Sequence, residues 1–224
     1  MSKLITLYKS KYGHAIFVIY FLFYMPWFSW LNQFTPQRAN AFEMYSRLDD
    51  LIPFCELFVI PYFIWFAYIA IGYIFLFFNS RTDFIKMCSF LYIGMTVCLI
   101  IYTLFPNYQT LRIDYSTLER ESILIDSIHA LQQGDTPYNV FPSIHCLNSI
   151  GMNIAISKNE WCKKHPSVIV ISTILATLIC LSTVFVKQHS IVDLFGALAL
   201  SIPLYWISYG NFKKLFRRKN KNVK

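Results

Sequence analysis

A few polar residues, far apart in the chain, have the types and spacings that handle a phosphoryl group. His189 and Asp193 stand four apart, so on a helix they share one face. A carboxylate there holds one imidazole nitrogen and raises the nucleophilicity of the other. Pro142 suits the first turn of a helix. The free N–H groups that follow it, with the Ser143 hydroxyl, make a ready anion site. His145 falls about one turn in, within reach of an oxygen leaving that anion. Arg112 and Lys187 bring positive charge for a phosphate, and Arg also binds in a bidentate manner.

Each member has a plainer reading when taken alone. Asp193 complements a helix dipole, Lys187 is a loop charge, and Glu56 makes a structural hydrogen bond. His14, His129 and His165 lie near a tail or in loops without partners of the right kind. The aromatic set Tyr20, Tyr24, Trp27 and Trp30 reads as an interfacial anchor for the first helix. The chemistry therefore rests on the joint pattern.

The elements that must position these residues are set by composition. Only 14% of the 224 residues are charged and 56% are hydrophobic, against roughly 25% and 45–50% in a soluble domain. That excludes a disordered chain, a coiled coil and an ordinary soluble enzyme. The net charge of +8 sits largely at the chain ends beside apolar blocks, unlike the basic surface of a nucleic-acid binder. No nucleic-acid partner is expected. Six stretches approach the roughly 20 apolar residues a bilayer needs: 13–32, 51–78, 84–105, 140–157, 167–186 and 189–210. The fourth carries His145, Asn148, Ser149 and Asn153, which are expected to face a bundle interior. Pro26, Pro53, Pro61 and Pro203 fall within these stretches, as membrane helices tolerate.

Lysine and arginine set the orientation. With a cytoplasmic N-terminus, Lys3, Lys9, Lys11, Arg81, Lys86, Lys158, Lys163, Lys164 and the basic tail 211–224 lie inside. Arg38, Arg47, Arg112, Arg120 and Lys187 lie outside. The predicted fold is all-α, an integral membrane bundle of six transmembrane helices with both termini cytoplasmic, forming one domain over 1–224. The first helix reads as retained, because its span is too long for a signal and no small-x-small site follows. The six cysteines, with no Cys-x-x-Cys pair, read as small buried hydrophobes and not as a disulfide frame or metal site. In this layout the long connection 106–139, the start of the fourth helix and the 187–189 junction meet at the outer membrane surface.

At these residues the chain resembles the type 2 phosphatidic acid phosphatase superfamily, whose signature is Lys-x6-Arg-Pro, Pro-Ser-x-His and Ser-Arg-x5-His-x3-Asp. The second part is intact as Pro142-Ser143-Ile144-His145. The third reads Ser182-Thr183, five residues, His189, three residues, Asp193. The first is reduced to Leu111-Arg112-Ile113, and no lysine occurs between Lys86 and Lys158. The resemblance runs over about 106–196. Thr136-Pro137-Tyr138-Asn139-Val140 and Phe185-Val186-Lys187-Gln188-His189 resemble a bacterial branch grouped with inositolphosphotransferase-like members.

The resemblance implies that His189 attacks phosphorus with Asp193 orienting it. His145 would protonate the leaving oxygen and then activate water. Ser143, Arg112 and Thr183 would bind the phosphoryl oxygens, with Lys187 restoring the charge lost where Thr183 replaces the family's arginine. No metal or other cofactor is implied. The expected activity is hydrolysis of a lipid phosphate or pyrophosphate ester at the extracytoplasmic face; the alternatives are transfer of the phosphoryl or head group to an alcohol acceptor, and a non-enzymatic membrane protein on a degenerate phosphatase frame. The expected location is a bacterial inner membrane.

Overall fold

The computed structural model describes residues 13–115, 118 and 122–210. The basic residues of 1–12 and 211–224, on which the orientation leans, lie outside the described residues, as does Arg120. A 3-10 stretch, Gly13–Tyr20, runs into α1 (Phe21–Phe34). After β1 (Phe42–Glu43) and the short α2 (Arg47–Leu51), a single turn at Glu56–Phe58 leads into α3 (Val59–Asn79). Then come α4 (Arg81–Leu104), β2 (Asn107–Tyr108), α5 (Ile123–Gly134) and α6 (Ile144–Lys158). The turn α7 (Glu160–Lys163), α8 (Pro166–Phe185) and α9 (Ile191–Tyr209) complete the described chain.

Five segments are long and apolar enough to cross a bilayer: Gly13–Gln37, Glu56–Asn79, Arg81–Leu104, Pro166–Phe185 and Ile191–Tyr209. Their outward faces carry exposed Leu22, Phe23, Ile71, Phe78, Ile202 and Trp206. Apolar surface on this scale belongs in lipid, so the chain is an all-α membrane protein.

The fourth expected span differs. α6 has 15 residues, about 22 Å at about 1.5 Å per residue, short of the ~30 Å hydrocarbon core. Ser143 caps its start and a new cap at Asn159 ends it. It is the central helix, packed against α3, α4, α8 and α9. Those neighbours shield it from lipid, so it can carry buried Asn148 and Ser149. Asn153 accepts hydrogen bonds from Ser172 and Thr173 of α8. Close approach is enforced at Gly151, where a Cβ would sit 2.4 Å from the Phe90 ring of α4. The second expected span also starts later than position 51: Leu51 ends α2, and Pro53 lies in the connection before the Glu56 turn.

The connection 106–139 is structured. β1 and β2 pair in parallel, with Phe42 opposite Asn107. α5 is amphipathic, burying Ile125, Ile128 and Gln132, and packs on α3 and the Glu56–Phe58 turn.

Candidate active site

His189 sits in the short loop between α8 and α9, and backbone bonds fold that loop tightly. The Thr183 carbonyl accepts both the Gln188 and His189 N–H groups, at 3.0 and 2.9 Å. Lys187 takes a left-handed conformation, φ 58°, which costs a non-glycine residue roughly 1–3 kcal/mol. Its side chain offsets that strain by donating from Nζ to the carbonyl oxygens of Asp49, at 2.8 Å, and Ile52, at 2.5 Å. Burial lowers the pKa of this ammonium, while the charges of Asp49 and Asp50 work to raise it.

α9 begins immediately afterwards. Ser190 is its N-cap, and Asp193 closes a capping box by accepting the Ser190 N–H at 3.1 Å. The same Asp193 Oδ2 lies 3.0 Å from His189 Nδ1. An ionised carboxylate only accepts, so Nδ1 carries the proton and Nε2 keeps its lone pair. Burial works to lower the His189 pKa, but the hydrogen bond and charge of Asp193 outweigh it, and the net shift is upward.

Asp49 of α2 clamps this corner, and nothing in its sequence neighbourhood signalled that. It is 2% exposed. It accepts Ser190 Oγ–H at 2.7 Å and Ile191 N–H at 2.8 Å, besides Ser46 N–H in its own capping box. A carboxylate at the start of α9 thus serves both N-terminal donors and the helix dipole.

The second histidine arrives from the opposite side. Asn107, fully buried, accepts the N–H groups of Val140 and Phe141 at 2.8 and 2.9 Å and donates to the Phe105 carbonyl. Tyr102 Oη–H holds the Pro142 carbonyl at 2.6 Å, and Ser143 N–H reaches the Asp193 carbonyl at 3.2 Å. A Cβ on Gly196 would stand 2.4 Å from the Phe141 ring, so only glycine lets α9 approach here. His145 Nε2 lies 3.4 Å from Tyr62 Oη, with the Trp65 ring centroid 4.5 Å from its own. The His145 and His189 rings stand 5.9 Å apart, tilted at 63°, a gap on the scale of one phosphoryl group.

Both histidines line a cavity of 470 Å³. Asp135, Thr136, Asn139 and Gln188 contribute polar groups, and Met25, Phe28, Phe66 and Ile144 contribute apolar wall. Tyr24, read from sequence as an interfacial anchor, lines it too. Burial raises the Asp135 pKa, with the charges of His189 and Arg112 opposing.

The other expected residues stand outside this lining. Ser143 is fully buried, and its hydroxyl accepts the Cys146 N–H as the α6 cap. Thr183 donates to the Cys180 carbonyl. Arg112 donates to the carbonyls of Gln132 and Asp135, both at 2.8 Å, and to Gln188 Oε1 at 3.0 Å. It therefore reaches the cavity through Gln188. Asp193 lies directly behind His189. Asp135, Gln188, Tyr62 and Trp65 were not singled out from sequence, because only folding brings α3 and the end of α5 to the histidines. Among the described residues no group of three or more His, Cys, Asp or Glu could hold a metal.

No family model, no curated protein and no solved structure matches the chain.

Proposed function

We propose that this chain is an integral-membrane phosphatase of the type 2 phosphatidic acid phosphatase kind, acting on a lipid phosphate or pyrophosphate ester. The observation that carries the reading is the pairing of His189, backed by Asp193 at 3.0 Å, with His145 across one cavity at a ring separation of 5.9 Å. His189 Nε2 attacks phosphorus, and the P–O bond to the lipid breaks. Protonated His145 gives its proton to the departing oxygen. Asp193 holds the positive charge that develops on the His189 ring. Neutral His145 then takes a proton from water, which displaces His189 and releases phosphate. N–H and O–H donors around the cavity stabilise the transferring group electrostatically, and the reaction needs no added metal.

The apolar walls suit an amphiphile whose head meets the histidines while its tail stays in an apolar environment. The lysine and arginine pattern supports an extracytoplasmic site, and the resemblance to a bacterial branch supports a bacterial inner membrane. The purified protein, given lipid phosphates in EDTA, is expected to release inorganic phosphate and to trap a phosphohistidine. His189→Ala removes both. Formation of a new phospholipid in place of phosphate reassigns the acceptor to an alcohol. Absence of turnover and of a phosphoenzyme overturns the proposal.

A further inference from the structure

The cavity holds a charge pattern that hydrolysis of a simple anionic ester does not call for. Among the described residues no lysine or arginine lines it, and beside the histidines its ionisable carboxylate is Asp135. Lys187 is held by the Asp49 and Ile52 carbonyls. Arg112 is held by two further carbonyls and Gln188. Neither cation is left to face a substrate directly.

The groups that remain for phosphoryl oxygens are neutral donors. Gln188 Nε2, Thr136 Oγ1 and Trp65 Nε1 belong to cavity-lining residues, and each is buried with no partner among the described residues. Gln188 is 3% exposed, so its unpaired amide is costly until something accepts from it. A dianionic monoester would set two negative charges beside Asp135, against the histidines and an Arg112 charge that Asp135 already shares. A phosphoester whose head group carries an ammonium brings one negative charge for the donors and one positive charge for Asp135. Tyr24, Tyr62, Trp65, Tyr102 and Tyr138 line the same space, and aromatic rings attract such cations.

We infer that the cavity selects a zwitterionic phosphoester lipid, with Asp135 and the surrounding rings taking the ammonium while His189 and the neutral donors take the phosphoryl group. This rests on the phosphoryl-transfer reading above and deepens it: on such a diester His189 Nε2 bonds to phosphorus as the bond to the diacylglycerol oxygen breaks, His145 protonates that oxygen, and water then frees the head-group phosphate ester from His189 in place of inorganic phosphate.

Two measurements separate the failure of one from the failure of the other. Binding is measured calorimetrically on the His189→Ala protein in maltoside detergent, with glycerophosphocholine, glycerophosphoethanolamine and inorganic phosphate as probes. Both ammonium esters are expected to bind at least about tenfold more tightly than phosphate, and Asp135→Asn to erase that margin. Equal or tighter binding of phosphate overturns the inference. Turnover is then measured on the wild-type protein with phosphatidylcholine, phosphatidylethanolamine, phosphatidylinositol and phosphatidic acid. The expected result is a kcat/KM at least about tenfold higher for the ammonium lipids, with Asp135→Asn lowering that arm and raising the phosphatidic acid arm. A choline preference assigns the larger share to the rings, and an ethanolamine preference assigns it to the carboxylate; both support the inference. Preference for phosphatidic acid, or for the uncharged polyol head of phosphatidylinositol, overturns it and leaves the phosphatase reading intact. Binding of the ammonium esters without turnover of any lipid overturns the phosphatase reading and leaves the ammonium site standing. The wild-type panel needs no variant, so a poorly folding Asp135→Asn does not shield the inference.

Discussion

Two buried polar clusters sit at opposite ends of α6, and they treat their hydrogen-bonding groups differently. At the C-terminal end, Asn159 is 1% exposed and uses its whole amide. Its Nδ2 donates to Asn79 Oδ1 and Asp83 Oδ2, both at 2.9 Å, and its Oδ1 accepts the Trp161 and Cys162 N–H groups. At the N-terminal end, Asp193 Oδ1, Gln188 Nε2, Arg112 Nε and Thr136 Oγ1 have no partner among the described residues. A buried polar group left unpaired costs roughly 1–3 kcal/mol, so a fold keeps several together only where another requirement opposes stability. The satisfied cluster joins α3, α4 and α7. The unsatisfied one borders a cavity with two histidines, and that difference supports the proposed site.

The comparison breaks most visibly at His189. His189→Ala should lower lipid phosphate turnover by ~10³-fold or more, with the melting temperature little changed, as phosphate release and thermal denaturation would show. A variant that instead keeps activity and loses stability would make this cluster structural like the other. Asn159→Ala should do the reverse. It removes four buried hydrogen bonds and should cost about 2–4 kcal/mol, while the surviving folded protein keeps its kcat.

Asp49→Ala tests the clamp between the α2 loop and α9. It should reduce kcat by about tenfold with a smaller change in KM, because it disturbs how Ser190 and Asp193 hold His189 rather than any substrate contact. Asp49→Asn, which keeps an acceptor for the Ile191 N–H, should recover part of the loss. Lys187→Met should lower the melting temperature by a few degrees, through loss of the carbonyl contacts that offset its backbone strain, with KM shifted by less than about threefold. A larger KM effect would return its ammonium to the phosphate.

The smallest effect is on pH dependence. Protonated His189 has no lone pair for attack, and its pKa is raised by Asp193. The acidic limb of kcat/KM should therefore lie above the ordinary imidazole value of about 6.5. Asp193→Asn should move that limb to lower pH. The linked stability has the sign of a raised histidine: the contribution of the pair is complete below the unfolded pKa and is lost as pH rises through the folded one.

How much of this was legible in the chain varies by residue. His145, His189 and Asp193 were readable because their motif spacings are local and the fold keeps local spacing, although His189 stands before the α9 cap and not within the helix. Ser143 was readable as a helix start, and its hydroxyl caps α6. Arg112 and Lys187 were readable as cations on the same connection and loop, but their partners were not. Each finds backbone carbonyls from segments 20 or more positions away, and carbonyl positions leave no trace in side-chain pattern. α5 was missed because a 12-residue amphipathic helix inside a polar connection has no membrane-span signal. α6 was read as the weakest of six spans because of His145, Asn148, Ser149 and Asn153, and with 15 residues it is not among the five segments long and apolar enough to cross a bilayer.

Composition and periodicity by themselves determined that this chain is a membrane protein of apolar helices, since a bilayer demands internally satisfied backbone and apolar side chains whatever the neighbours are. They also pointed to the His189–Asp193 pair, although His189 lies in the loop before the Ser190 cap and meets Asp193 across the capping turn, not along a helix face. Only the tertiary structure decided which groups share the cavity. Asp135 from the end of α5, Tyr62 and Trp65 from α3, and Gln188 beside His189 meet through contacts between distant segments. The same packing turned Lys187 and Arg112 toward carbonyl oxygens, because a buried cation is most stable where fixed dipoles already point at it.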